Sequence, residues 1–445
     1  MTRELLSAED ARILALESGT IRGHTCKLIV IAGVRSAAEV RAQLEERLVS
    51  VPQLTRRLDP AANPPAWVDD PAFSIDRHVV DRGALDDAGL RGLVASAMET
   101  PLDRKHPLWA MDVVSPLAGQ RTALVWRIHH AVADGMTAMR MASALLLDAA
   151  PGELHSHRPS HPRASPLRLA ASLPKTLRQA LGRRASLSPL ACHAGPRREV
   201  AFVDAPLEEL HSIGHAAPVH ATVNDVALNA VGAGLRAWLD EIGAPLEGVR
   251  VKVPVSLHQP GEPDSANRDS FIFVDLPVEQ RDPIERLAAV ARETRDCKRR
   301  HDAETLYAFF SGLGRVSRAL DRRAEQWAMS PRLFTLNVSN VPGPPGPQLV
   351  LGAPMLELHS LAEIAHRHVL RVAIVSAGGR ISFGLCADAD AVDRLDVIAD
   401  GIRSELDALA ARLLAPSQPG HRRDLRPGAA PDRPADLRRG SGLGA

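Results

Sequence analysis

The hydrophobic pattern changes period at one point, and that point organises the first half of the chain. Thr122 to Ile128 is an apolar run rich in β-formers, which predicts a buried strand. From about Thr137 to Leu147 apolar residues return every three or four positions, which predicts a helix. Between the two lies His129-His130-Ala131-Val132-Ala133-Asp134-Gly135. A strand therefore delivers a histidine pair to a turn that holds a carboxylate and closes on a glycine, the residue that tolerates backbone a Cβ would resist.

The same reading predicts the rest. Helix Ala8–Glu17, strand Lys27–Ile31, helix Ala37–Leu48, a proline-rich stretch and helix Asp86–Glu99 precede the motif. A second half begins near Arg198 with a strand and helix Leu207–Gly214. It continues with a helix that begins near Asn224, strands Val249–Pro254 and Ser270–Leu276, long helices between Pro283 and Met329, two or three strands, and helix Leu395–Leu414. Strands and helices in mixed order predict an α/β fold. The organisation expected is a first subdomain at 1–150, a basic proline-rich linker at 151–198, a second subdomain at 199–416 and a disordered tail at 417–445.

The linker stands out by charge. From Leu154 to Arg198 it has eight Arg, one Lys and no acid. Leucines from Leu167 to Leu181 alternate with basic residues, and Pro174 interrupts them. Two readings stay open: a basic amphipathic segment resting on an anionic membrane or lipid droplet, or a solvated crossover with a few leucines packed on the body.

Composition narrows the class. The chain has 445 residues, enough for two sizeable cores, and 45% hydrophobic residues. A net charge of +1 gives no reason to expect nucleic acid. Cys26, Cys192, Cys297 and Cys386 are scattered without CxxC spacing, which predicts free thiols in a reducing compartment. The start lacks the apolar core of a signal peptide, and no apolar run is long enough to span a bilayer. A cytoplasmic protein, with or without peripheral lipid contact, is expected.

Neutral histidine accepts and returns protons near neutrality, so His130 is a candidate general base for a hydroxyl or thiol, with Asp134 one short turn away. The plainer alternative is a surface histidine pair with Asp134 as a helix cap. A metal site is disfavoured, because adjacent side chains on a strand point to opposite faces.

Further motifs weight the choice. The heptad has the HHxxxDG form of the superfamily that includes carnitine and chloramphenicol acyltransferases and peptide-synthetase condensation domains. Within it the chain resembles the bacterial wax ester synthase/diacylglycerol acyltransferase family. The resemblance rests on Pro107-Leu108-Trp109, on Thr222-Val223-Asn224-Asp225-Val226 and on Val253-Pro254-Val255-Ser256 with Asn267. Phe271 to Pro277, Asn337 to Pro344, Ser382 to Leu385 and Ala387-Asp388 follow in the family's order. The likeness runs from about residue 5 to 412, and such a colinear series is more specific than one motif.

The resemblance implies two chloramphenicol-acetyltransferase-like subdomains flanking a central tunnel. It implies acyl transfer from acyl-CoA to a diacylglycerol or a long-chain alcohol, with no metal and no cofactor beyond acyl-CoA as co-substrate. His130 is then the base and His129 packs or orients. Asp134 and Gly135 hold the turn, and Asn224 donates to the oxyanion. Trp109 stands at the substrate side or as a core aromatic. Two other classes stay open: a condensation-like acyltransferase with a carrier-bound donor, and a non-catalytic lipid-binding relative. The chain departs from the family's pattern at His24-Thr25-Cys26, at Arg367 and Arg371, and at Ala377 after Ser376. These departures bear on the acceptor pocket more than on the catalytic centre.

Overall fold

Long β-branched and leucine-rich runs become two six-stranded sheets, and a computed structural model gives their arrangement. It describes residues 3–59, 61–133, 135–148, 169, 171–176, 178, 188–246, 248–257, 269–317, 323 and 326–415. The expected disordered tail at 417–445, and the basic linker at 151–198 except for residues 169, 171–176, 178 and 188–198, lie outside the described residues.

Strands are numbered in chain order: β1 Arg3–Leu5, β2 His24–Ala32, β3 Arg56–Leu58, β4 Ala66–Asp69, β5 Val79–Asp81, β6 Trp109–Leu117 and β7 Arg121–His129. The second half adds β8 Arg198–Pro206, β9 Arg250–Ser256, β10 Asp269–Asp275, β11 Leu336–Pro342, β12 Leu349–Val350, β13 Ala353–Ala362, β14 Leu370–Ala377 and β15 Arg380–Asp388. The first large sheet runs β12-β13-β2-β7-β6-β5 and the second β10-β9-β11-β14-β15-β8. The mixed α/β architecture read from the element order is the one observed.

One connection was not legible in the sequence. β13 comes from the second half, yet it pairs antiparallel with β2 of the first, from Met355 opposite Ile31 to Ala362 opposite Thr25. β14 follows at once and joins the second sheet between β11 and β15. The boundary near 150–198 therefore divides the chain but not the sheets, because β12 and β13 complete the first sheet. A buried ion pair anchors the joint. Arg198 Nε lies 3.0 Å from Glu363 Oε1, and the Arg22 amide donates to Glu363 Oε2 at 3.0 Å.

Helices cover the sheets where their apolar stripes predict. On the first half, Ile29 and Ile31 of β2 and Leu124 and Trp126 of β7 pack with Val40 and Leu44 of helix Ala37–Arg47. Leu145 and Leu146 of helix Gly135–Leu146 join this core. On the second, Leu336 and Val338 of β11 and Val372 and Ile374 of β14 pack in one core with helices Val223–Glu241 and Leu395–Leu413. The two layers meet closely at Gly384 of β15, where a Cβ would collide with the carbonyl oxygen of Ser360 on β13. No helix among the described residues is long and apolar enough to cross a membrane.

Candidate active site

β7 is buried from Thr122 to His129, so the strand emerges from the core only at the histidine pair. Backbone bonds then fix the turn. The His129 amide donates to Leu108 O at 3.0 Å, His130 to Gly23 O at 2.8 Å, and Val132 to His129 O at 2.9 Å. Helix Gly135–Leu146 follows, with Gly135 as its first residue. Asp134 lies outside the described residues.

The two imidazoles sit differently. His129 is buried, and its Nδ1 accepts from the Ala131 amide at 3.0 Å. That bond leaves the ring proton on Nε2, which is buried without a partner. Gly23, at φ +68°, lies so close that a Cβ there would be 2.6 Å from His129 Nε2. Burial first and Arg104 second push His129 down to about 4. His130 is half-buried, and its ring has no hydrogen-bond partner among the described residues. Burial, then Arg371, His129 and Lys27, push it down to about 3. It is therefore a neutral proton acceptor at physiological pH.

A third imidazole belongs to this end of the sheet. His24 of β2 is in register with His129 and fully buried, with neither ring nitrogen bonded. Burial, Arg127 and the other two histidines hold it well below its usual value. The residue stood out in the sequence only as polar where an apolar one was expected.

Lys27, two residues past the start of the apolar run of β2, faces the junction of the halves. Its buried Nζ donates to Ser360 Oγ of β13 at 2.5 Å. Burial lowers it to about 8. The same side chain lines a small apolar pocket whose walls come from both halves. Ile29, Met139, Ala142 and Leu146 face Pro344, Met355 and Leu358 across it. Lys27 thus touches the pocket and also bears on the charge of His130.

Other residues singled out in the sequence lie elsewhere. Trp109 opens β6 in register with Ile128, and its indole N–H donates to Leu54 O at 2.7 Å. Its ring stacks on His78 with centroids 4.5 Å apart, so the side chain braces the motif strand from within the core. Thr222 caps helix Val223–Glu241 through a reciprocal box with Asp225, whose other oxygen accepts from Thr294 at 2.7 Å. Asn224, one residue earlier, meets Asn340 of β11, whose Nδ2 donates to its Oδ1 at 3.4 Å. Asn340 is in register with Ile374, on the helix-covered face of the second sheet. Among the described residues no group of three His, Cys, Asp or Glu side chains is placed to hold a metal ion.

Comparisons with known proteins follow the same lines. The family model for the wax ester synthase/diacylglycerol acyltransferase catalytic domain matches residues 6–186, and that for the C-terminal domain matches residues 265–410. A protein of Mycobacterium tuberculosis named as a probable diacylglycerol O-acyltransferase is 27% identical, over 90% of this chain and 96% of its own. The solved wax ester synthase/diacylglycerol acyltransferase from Marinobacter aquaeolei superposes with a TM-score of 0.70 at 23% identity, over 92% of this chain and 99% of that one. A starter condensation domain of rhizomide synthetase, solved in complex with C8-CoA, superposes with a TM-score of 0.56 at 15% identity, over 93% and 96%. At these identities the two solved structures speak for the fold.

Proposed function

Because the chain belongs to the wax ester synthase/diacylglycerol acyltransferase family, we propose that it transfers a fatty acyl group from acyl-CoA to a hydroxyl acceptor with His130 as general base. One observation carries the reading: a neutral, half-buried, unbonded imidazole at the end of a rigid strand, beside a cation that lines a small apolar pocket.

The chemistry needs little else. The thioester end of the acyl chain lies toward Lys27, on the sheet that carries His130. The hydroxyl oxygen of the acceptor attacks the carbonyl carbon as His130 takes the hydroxyl proton. A C–O bond forms, the C–S bond breaks, and the proton passes from His130 to the departing thiolate. Negative charge on the carbonyl oxygen develops near Lys27, already fixed by Ser360, so little reorganisation is required. Asn224, tied to Asn340 on the helix side of the second sheet, positions the helix start in this scheme, in place of the oxyanion role expected from the sequence. No acyl-enzyme is needed. The acceptor classes are diacylglycerol and long-chain alcohol, giving triacylglycerol or wax ester.

Palmitoyl-CoA with hexadecanol or a diacylglycerol tests the reading. We expect one ester formed per coenzyme A released. Release of coenzyme A without ester, or ester formed only from a carrier-bound donor, would overturn it. Contact of the part of the basic segment from Leu154 to Arg184 with a membrane or lipid droplet is part of the same proposal. Deleting 154–184 should lower co-sedimentation with anionic liposomes, and unchanged sedimentation would remove that part.

A further inference from the structure

The second sheet carries a row of polar side chains that the scheme above does not use. Lys252 of β9 is in register with Asn337 of β11, and Asn337 with Arg371 of β14. In-register residues on neighbouring strands share a face, and strands lie ~4.8 Å apart, so the row spans about 10 Å. Its face is the one turned to the first half. Val375, on the same side of β14 as Arg371, packs in the first half's core beside Met355 and Ala377.

The row holds two cations, and neither forms an ion pair among the described residues. Lys252 Nζ sits 4.1 Å from the ring centroid of Phe271 and 5.4 Å from that of Phe334, and its hydrogen bond goes to Met329 Sδ at 3.6 Å. Aromatic faces steady a cation without neutralising it. Arg371 donates from Nη1 to the Glu363 carbonyl oxygen at 3.1 Å, while its Nε is buried with no partner. Asn337 is 8% exposed, and its carboxamide has no hydrogen-bond partner among the described residues. Glu363 is the nearby acid, and its carboxylate is already taken by Arg198, Arg22 and Ile364. Half-buried cations without a paired anion are unfavourable, so the arrangement is one that a bound anion completes.

We propose that Lys252, Asn337 and Arg371 form an anion subsite in the acceptor half of the active site, and that the preferred acceptor is a hydroxyl compound bearing a carboxylate or phosphate near the reacting hydroxyl. The proposal rests on the acyltransferase reading and replaces its neutral acceptors, diacylglycerol and long-chain alcohol, with an anionic one. Arg371 donates to the Glu363 carbonyl, the Glu363 carboxylate holds the Arg22 amide, and the next residue, Gly23, accepts from the His130 amide, which puts the row within reach of the reacting hydroxyl. The phosphates of coenzyme A lie a full pantetheine arm from the thioester and are too remote from the base to fill it. The arginine fork suits a carboxylate or phosphate through two parallel hydrogen bonds, and the ammonium and carboxamide add donors beside it. A bound anion also offsets the cations that hold His130 in its neutral form, so the acceptor itself strengthens the base.

An acceptor panel on the full chain tests this. Palmitoyl-CoA is supplied with 3-hydroxypalmitate or lysophosphatidate on one side, and hexadecanol or dioleoylglycerol on the other. Charge-assisted hydrogen bonds predict ~10-fold or greater preference in kcat/KM for at least one anionic acceptor, and the two anionic arms tell carboxylate from phosphate. Arg371→Gln and Lys252→Gln should collapse that preference mainly through KM. Equal or better use of neutral acceptors by the wild type overturns the subsite while leaving the acyltransferase reading standing. Loss of kcat for every acceptor by one factor in Arg371→Gln also overturns it, since that marks an effect on the base. Failure of all four acceptors to yield ester sinks both. The wild-type panel decides even where a variant does not fold.

Discussion

The two large sheets handle charge in opposite ways. At one end of the first, His24, His129 and His130 are packed so that all three imidazoles stay neutral. Across one face of the second, Lys252 and Arg371 form no ion pair among the described residues, although burial lowers Lys252 to about 8. The difference assigns separate tasks. A general base must be uncharged before the reaction, which burial and nearby cations ensure. A binding row for anions must be charged before the ligand arrives. Putting the two on facing layers lets each environment be tuned without spoiling the other.

Removing the base should be the largest break in that comparison. His130→Ala should lower ester formation by roughly 10²–10⁴-fold, the usual range for general acid–base catalysis. Its melting temperature should stay near that of the wild type, because the ring is half-buried and unbonded. His129→Ala should do the reverse: part of the activity persists while stability falls, since its buried Nδ1 holds the Ala131 amide. Equal turnover by wild type and His130→Ala would reassign the base.

Pressing the sheets apart ranks next. Gly384→Ala drives a methyl group into the Ser360 carbonyl oxygen where β15 faces β13. Overpacking against backbone should cost about 3 kcal/mol. Ser360 also holds Lys27, so the variant should lose activity along with stability in thermal unfolding. An unchanged melting curve would show that the two layers yield more easily than the close approach implies.

The contrast between the sheets also explains what the sequence revealed. The proposed base was legible because its parts are consecutive: a β-forming run, two histidines and a helical pattern fall within about thirty residues. The helix at Val223 was legible for the same reason, as Thr222 and Asp225 form their capping box three residues apart. The row was not, since positions 252, 337 and 371 meet only through the register of β9, β11 and β14. Arg371 stood out as a departure from the family pattern, but nothing local says that it aligns with a lysine far upstream. β13 is a harder case. Its apolar run predicts a strand in either sheet, and only packing against Gly384 and pairing with β2 place it in the first. Trp109 was ambiguous until its indole N–H was found bonded to Leu54.

Acid should distinguish the sheets thermodynamically. Unfolded histidines take up a proton below their ordinary value of about 6.5, whereas folded His129 resists until about 4. The unfolded state thus binds more protons between those limits, and stability falls as pH drops from about 6.5 toward 4. For buried His129 the loss is on the order of 2 kcal/mol after allowing for relaxation. His129→Gln should make the denaturation midpoint fall less steeply across this window, with His24 and His130 keeping the rest, measured by urea titration at fixed pH steps. A variant that tracks the wild type throughout would place the acid sensitivity elsewhere.

The smallest effect expected lies on the far face of the second sheet. Asn340→Ala removes the 3.4 Å bond to Asn224, which is long for a hydrogen bond and only partly buried. The capping box of Thr222 and Asp225 stays intact, so the helix start should hold, and the loss should be about 0.5–1 kcal/mol. If Asn224 only positions the helix, Asn224→Ala and Asn340→Ala should behave alike and leave kcat within a few-fold of the wild type. If Asn224 instead reaches the thioester oxygen, its alanine variant should lose ~10²-fold or more in kcat while Asn340→Ala does not. Single-turnover rates for the pair separate the two cases, and a large loss confined to Asn224 would move the oxyanion site from Lys27 on the first sheet to the helix that covers the second.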